Sequence, residues 1–254
     1  DHEGAIRMPA IAIVSDIHGN LPALEAVADD IRARGIQTVF NLGDSLSGPL
    51  LPREAAAFLI DAGWASLAGN HERQLLALID RHDAQGAASD RYAAARLDPA
   101  ALAWLRTLPA TLRHGELLLC HGSPRSDVEW LLDRIDGGVL VPDQEEAIVQ
   151  RLGDDRARAI ACGHSHVQRQ RRLADGRLLL NPGSVGLPAY RGTQPSCYAV
   201  HCTVVDARYA VIERIDGVWQ ARSCAVAYDH PAMARLAARN GFPDWARALA
   251  SGRA

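Results

Sequence analysis

A chain of 254 residues, 48% hydrophobic and with a formal charge of −3, is long enough to bury a large core and carries no basic footprint for nucleic acid. No apolar run approaches the roughly 20 residues that span a bilayer. All 27 basic residues are arginine, which excludes a Walker or Schiff-base lysine. The five cysteines, an odd number scattered without a C-x-x-C pair, predict reduced thiols and a cytoplasmic setting. Residues 1–7 precede Met8, lack the apolar stretch of a signal peptide, and are read as a remnant of cloning ahead of one domain over 8–254.

Taken in chain order, Ala10–Ser15 reads as a buried strand, and Asn20 caps a helix from Leu21 to about Arg34 with Pro22 in its first turn. Gln37–Leu42 is a second strand, followed by a Gly/Pro loop and a helix from about Arg53 to Asp61. Trp64–Ala68 is a third, and a helix begins near Glu72. This alternation predicts an α/β fold, with a parallel or mixed sheet covered by helices. Asp83–Leu108 is Ala-rich and expected to be helical, an insert whose place between polar loops makes it a candidate roof. Thr111–Cys120 reads as a hairpin turning at His114–Gly115, then a helix at about Asp143–Leu152 and a strand at Arg158–Cys162. In the last third Arg177–Leu180, Cys197–Val205, Tyr209–Ile215 and Gln220–Val226 read as strands, and helical residues follow from about Pro231. Asp175–Gly176 and Asp216–Gly217 mark tight turns. No linker or repeat divides the chain, so one domain with two sheets is expected.

Five polar clusters directly follow apolar strands: Asp16-Ile-His18, Asp44, Asn70-His71, His121, and His164-Ser-His166. In α/β sheets, ligands gather beyond the carboxyl ends of the strands. Five strand ends would therefore bring together two Asp, one Asn and five His. Asp-x-His and His-x-His place both side chains on one side of extended chain. Imidazole, carboxylate and one amide oxygen suit first-row ions such as Mn, Fe, Zn or Co better than calcium or magnesium. Taken singly, each pair is more often a turn or a cap; the joint arrangement carries the metal reading.

These motifs, in this order, resemble those of the calcineurin-like metallophosphoesterases: Asp16-Ile-His18, Gly43-Asp44, Gly69-Asn70-His71-Glu72, His121 and Gly163-His164-Ser-His166. His121-Gly-Ser-Pro124 and Asn181-Pro-Gly-Ser-Val-Gly186 are similar to the small bacterial branch. The resemblance spans Ile11 to about Gly186. It implies a four-layer αββα sandwich of two mixed sheets flanked by helices, with the helical insert after the third strand. It also implies two divalent cations, manganese first, with iron, zinc, cobalt or nickel as alternatives. The first would be held by Asp16, His18, Asp44 and His166, the second by Asp44, Asn70, His121 and His164. Asp44 would bridge them, a hydroxide shared by the two ions would be the nucleophile, and His71 would stand beside the phosphoryl group as a catalytic residue. Arg125 and Arg191 are candidate substrate contacts.

The resemblance implies hydrolysis of a phosphodiester or phosphomonoester of a small metabolite or nucleotide, with homo-oligomerisation left open. After Asp44 the chain reads Ser-Leu-Ser-Gly, without the Asp and Arg of Ser/Thr protein phosphatases, which argues against that activity. Two alternatives stand beside the phosphoesterase reading. One is a nuclease with the same metal site, which the lack of a basic patch disfavours. The other is a non-catalytic scaffold, disfavoured because every expected ligand is present. His82, His114, His201 and His230 have no cluster partner in the sequence.

Overall fold

The computed structural model describes residues 7–81 and 86–254; the reading of residues 1–7 as an added leader, Arg7 apart, and that of His82 lie outside the described residues. In chain order the elements are β1 (Ile11–Val14), α1 (Leu21–Ala33), β2 (Thr38–Asn41), α2 (Pro52–Ala62), β3 (Ala65–Ser66) and α3 (Asn70–Arg81). Next come α4 (Ala88–Ala94), α5 (Pro99–Leu105), β4 (Thr111–His114), β5 (Leu117–Cys120), β6 (Asp133–Asp136), β7 (Val139–Pro142), α6 (Glu145–Leu152) and β8 (Ala159–Ala161). The chain then forms β9 (Arg169–Arg172), β10 (Leu178–Asn181), β11 (Tyr190–Gly192), β12 (Tyr198–Val200), β13 (Ala207–Ile215), β14 (Val218–Val226), α7 (His230–Arg239) and α8 (Pro243–Ser251).

Two five-stranded sheets, ordered β14-β13-β1-β2-β3 and β4-β5-β8-β10-β9, pack face to face. Strand β1 shows why. Its residues alternate faces, so Ile11 and Ile13 enter the core between the sheets while Ala12 and Val14 enter the core under α1 and α2. Residues buried on both faces are the mark of an inner layer. The second sheet behaves alike: Leu117 and Leu119 face the first sheet, whereas Leu118 and Cys120 pack with Ile148 and Leu152 of α6. The layers are helices, sheet, sheet, helix, the expected αββα sandwich.

Helix α1 forms because Asn20 accepts the Ala23 N–H and Ala23, Leu24, Val27, Ala28 and Ile31 make one apolar face. Each large sheet holds three parallel strands, β1 with β2 and β3 in the first and β5 with β8 and β10 in the second. Their carboxyl ends therefore reach one edge of the sandwich. Both expected tight turns are in place, joining β9 to β10 and β13 to β14 as antiparallel pairs.

The structure adds to the sequence reading in three places. A third sheet, β11-β12-β7-β6, forms from short strands, among them a hairpin through Gly137–Gly138. Cys197–Val205 keeps only Tyr198–Val200 as strand, because the Cys202 N–H turns away to pair with the Gly252 carbonyl. The insert is helical as expected, in two pieces: Asp98 caps α5 by accepting the Ala101 N–H at 2.8 Å, and Pro99 starts the second helix. Residues 83–85 of that insert lie outside the described residues. No described helix is long and apolar enough to cross a membrane, and all five cysteines are free thiols.

At Gly186 the chain lies directly against the loop after β1. Its N–H donates to the Asp16 carbonyl at 3.1 Å, and a Cβ there would lie 1.7 Å from the Ile17 carbonyl oxygen. Backbone cannot yield as a flexible side chain can. Gly186→Ala is expected to destabilise the fold by about 3 kcal/mol, the upper end of the usual overpacking range, read as a lowered midpoint in urea unfolding.

Candidate metal centre

The polar clusters follow the parallel strands out of the sheets. Asp16 and His18 follow β1, Asp44 follows β2, Asn70 and His71 open α3 after β3, His121 follows β5, and His164 and His166 follow β8. The turns that aim these side chains are sharp. Among the described residues six non-glycines adopt positive φ, and five of them are Asp16, His18, Asp44, His164 and His166, at 52° to 68°. Left-handed backbone costs about 1–3 kcal/mol at each such position, so the surrounding structure must hold it.

Glu72 does much of that holding. Its carboxylate accepts the N–H groups of Asp44, Ser45 and Gly69, each at 2.7 Å, tying two strand-end loops to the first turn of α3. At Gly69 a Cβ would sit 2.2 Å from Asp44 Oδ1, so this close approach requires glycine. Asn181 braces the loop after β8, donating to the Gly163 carbonyl and to Ser165 Oγ while accepting the Gly183 N–H.

The side chains gather into two groups, Asp16–His18–His166 and Asp44–His121–His164, with the ligand atoms of each within 4.8 Å of one another. Asn70 Oδ1 joins the second, 3.1 Å from His121 Nε2. The tautomers define what these groups are for. His18 Nδ1 donates to the Ser47 carbonyl at 2.9 Å, His121 Nδ1 to the Leu42 carbonyl at 2.8 Å and His166 Nδ1 to the Leu187 carbonyl at 2.8 Å. A neutral ring so committed presents a bare lone pair at Nε2. The Nε2 atoms of His18 and His166 nevertheless face each other at 3.1 Å, beside a buried Asp16 Oδ1 that has no hydrogen-bond partner. His121 Nε2 faces Asn70 Oδ1 and, at 3.1 Å, Asp44 Oδ2. The lone pairs of His18, His166 and Asp16 converge without a proton between them and suit a cation, the second group draws positive charge to His121 Nε2, and imidazoles oriented by carbonyl acceptors are the usual metal-ligand pattern.

Electrostatics follow the same division. Burial opposes charge on Asp16, yet the His166 ring outweighs it and holds the carboxyl down to about 2. Asp44 is likewise buried but lies well below the carboxylate range because His121 and His71 surround it. Burial and the neighbouring His166 push His18 down to about 3; burial and His121 push His164 down to about 4. His121 is also buried, but Asp44 dominates and raises it to about 10.

His71 stands apart from both groups. Its ring centroid is 5.5 Å from that of His18, its backbone N–H donates to Asp44 Oδ1 at 3.0 Å, and its Nδ1 pairs with Asp90 at 2.8 Å. Burial would lower it, but Asp44 and Asp90 together raise it to about 9. Asp90 comes from α4, so the insert does reach the site. It was not foreseen, because a lone Asp nineteen residues away on another helix has no local signal. The two arginines are not drawn into either group. Arg125 pairs with Glu129 through Nε and Nη2, and Arg191 donates to the Ala254 carbonyl. Of the uncommitted histidines, His114 lies against Phe40, His201 accepts the Ala254 N–H, and His230 pairs with the Leu249 carbonyl.

In the metal-free chain a proton on His121 takes the place of a cation between Asp44 and the ring. Below about pH 10 that proton must leave before Nε2 can bind a metal. Loading this group with Mn²⁺ at pH 8 is therefore expected to release about one proton. Calorimetry in two buffers of unlike ionisation enthalpy measures it, and the apparent affinity should rise with pH until His121 is neutral.

Comparison with known proteins agrees with this geometry. The sequence matches the Calcineurin-like phosphoesterase superfamily domain over residues 10–205. It is 30% identical over 198 residues to an uncharacterised protein of Methanocaldococcus jannaschii, covering 70% of this chain and 76% of that protein. The fold is similar to a metallophosphoesterase from Sphaerobacter thermophilus, with a TM-score of 0.73 at 22% identity over 96% of this chain and 99% of that one. It is also similar to a hypothetical protein from Pyrococcus horikoshii OT3, with a TM-score of 0.68 at 19% identity, covering 96% and 98% of the two chains. Divalent metal ions are implied by that family match, and the two lone-pair groups are the places fitted to hold them: the chain belongs to the calcineurin-like phosphoesterase superfamily.

Proposed function

We propose that this protein hydrolyses phosphoesters of small metabolites or nucleotides, using two divalent cations, manganese among them. Asp16, His18 and His166 would hold one and Asn70, His121 and His164 the other, with Asp44 shared. The observation that carries the proposal is the pair of buried lone-pair groups at one sheet edge with His71 beside them. When bound, two such cations lower the pKa of water and neutralise phosphoryl oxygens for in-line displacement.

The chain's own residues supply the rest. Asp90, its side chain 2% exposed, fixes the His71 ring through Nδ1, so that Nε2–H is the proton it can give; the ring itself is 26% exposed. Held near 9, His71 carries its proton at neutral pH and can pass it to a departing oxygen. Asp44, the carboxylate between His121 and the His71 N–H, offsets the positive charge gathered around it. The full set of donors also supports catalysis over a purely structural role.

Metal analysis with a screen of monoesters, diesters and nucleotides in Mn²⁺, Co²⁺ and Ni²⁺ tests the proposal. It fails if the metal-replete protein binds a single ion or cleaves none of them. Asp44→Asn is expected to lose more metal on dialysis than Asn70→Ala or His166→Ala, because one substitution would weaken both sites.

His71→Ala should keep its metals. It should slow a nucleotide-type ester by about 10²–10⁴-fold, the usual worth of a general acid, and a nitrophenyl ester much less, because nitrophenolate leaves without a proton. Equal losses on the two substrates would remove the general-acid role. The acid form is the active one, so the rate on alkyl esters should fall as pH rises through a midpoint at or below about 9. Asp90→Asn should move that midpoint down.

A further inference from the structure

A cavity of about 440 Å³ adjoins the Asp16–His18–His166 group, walled by α8, the start of α4 and the segment Leu187–Arg191. Three of its lining residues touch the site. The Trp245 ring meets the His18 ring edge-on at 5.8 Å, the Tyr190 ring lies 4.7 Å from that of His166, and the Leu187 carbonyl accepts from His166 Nδ1. Phe242 lines the same space. In a chain with only 5% aromatic residues, three flat side chains line one cavity beside the candidate metal ligands; Trp245 and Tyr190 also pack against buried residues and Phe242 against Tyr92. Trp245 and Phe242 both belong to the segment after residue 205, where the family match ends.

We infer that this cavity receives the nucleobase of a nucleotide whose phosphoryl group lies at the metal groups, an inference that rests on the proposed function and names its substrate class. Stacking on aromatic side chains accepts any base, since every base has a π face. The volume suits a base with part of its sugar, and lies within the usual range for small-molecule pockets. Arg191, which sits on the cavity wall, is thereby placed on the organic side of the substrate rather than at the phosphoryl group.

Fluorescence and calorimetric titration of the manganese-loaded full chain with adenosine, and with AMP and ribose 5-phosphate as their methylene phosphonates, whose C–P bond is not hydrolysed, tests this without turnover. AMP should bind about 10–100-fold more tightly than ribose 5-phosphate, the range expected for one stacked base. Trp245→Ala should bring the ratio near one, and Trp245→Phe should keep most of it. Ala88→Trp, an added ring at an exposed position on the opposite wall, should also lower the ratio and guards against a folding defect in the first variant. A ratio near one in the parent, or a ratio unchanged in both Trp245→Ala and Ala88→Trp, overturns the inference. The two readings separate cleanly. Cleavage of bis(4-nitrophenyl) phosphate with no preference for AMP over ribose 5-phosphate removes the base pocket and leaves the phosphoesterase. Adenosine bound in the parent and released in both variants, with no ester cleaved, keeps the pocket and removes the phosphoesterase.

Discussion

Three buried imidazoles give their Nδ1–H groups to backbone carbonyls, and everything at the top of the sandwich follows from that commitment. Each ring is then fixed in orientation and left with a lone pair at Nε2, aimed at another lone pair or a carboxylate. Such an arrangement repels itself unless a positive charge lies between. The protein therefore does not merely tolerate a cation there. The two candidate groups suit one, and the raised affinity of His121 for a proton answers the same demand.

Holding that set requires backbone that L-residues avoid. Left-handed turns at Asp16, His18, Asp44, His164 and His166 place five side chains within a few residues of their strand ends. The cost is offset by cross-loop hydrogen bonds that a single strand end could not make. Glu72 joins the loops after β2 and β3, Ser184 Oγ donates to the Asp16 carbonyl, and the Gly163 N–H reaches the His121 carbonyl. The two sheets matter for the same reason. One sheet supplies Asp16, His18, Asp44 and Asn70, and the other His121, His164 and His166, so the groups assemble only when the sheets pack.

Chemistry and recognition come from different parts of the chain. The loops at the strand ends carry the metal groups, whereas the insert contributes Asp90 to orient His71 and the start of α4 to the neighbouring cavity. The last helix closes that cavity with Trp245, whose ring also buttresses His18. In such an arrangement α4 and α8 can vary while the strand-end loops stay as they are.

What the sequence by itself determined is local or periodic. The double-faced apolar pattern of β1, the Asn20 cap, the turns at Asp175–Gly176 and Asp216–Gly217, and the histidines and carboxylates placed just past buried strands are all properties of short segments. Those strand-end clusters were enough to name residues that the fold brings together, because parallel strands end at one edge. What only the tertiary structure decided are the contacts between segments far apart in the chain. Asp90 reaching His71 from another helix, Glu72 bonding two loops at once, and Trp245 closing a cavity over His18 leave no periodic or spacing signal. The third sheet stayed hidden for a related reason: its strands are three or four residues long, too short for an alternation pattern, and are set by pairing with each other. The partners of Arg125 and Arg191 belong here too, since an arginine reads the same in sequence whether it meets a phosphate, a glutamate or a carbonyl.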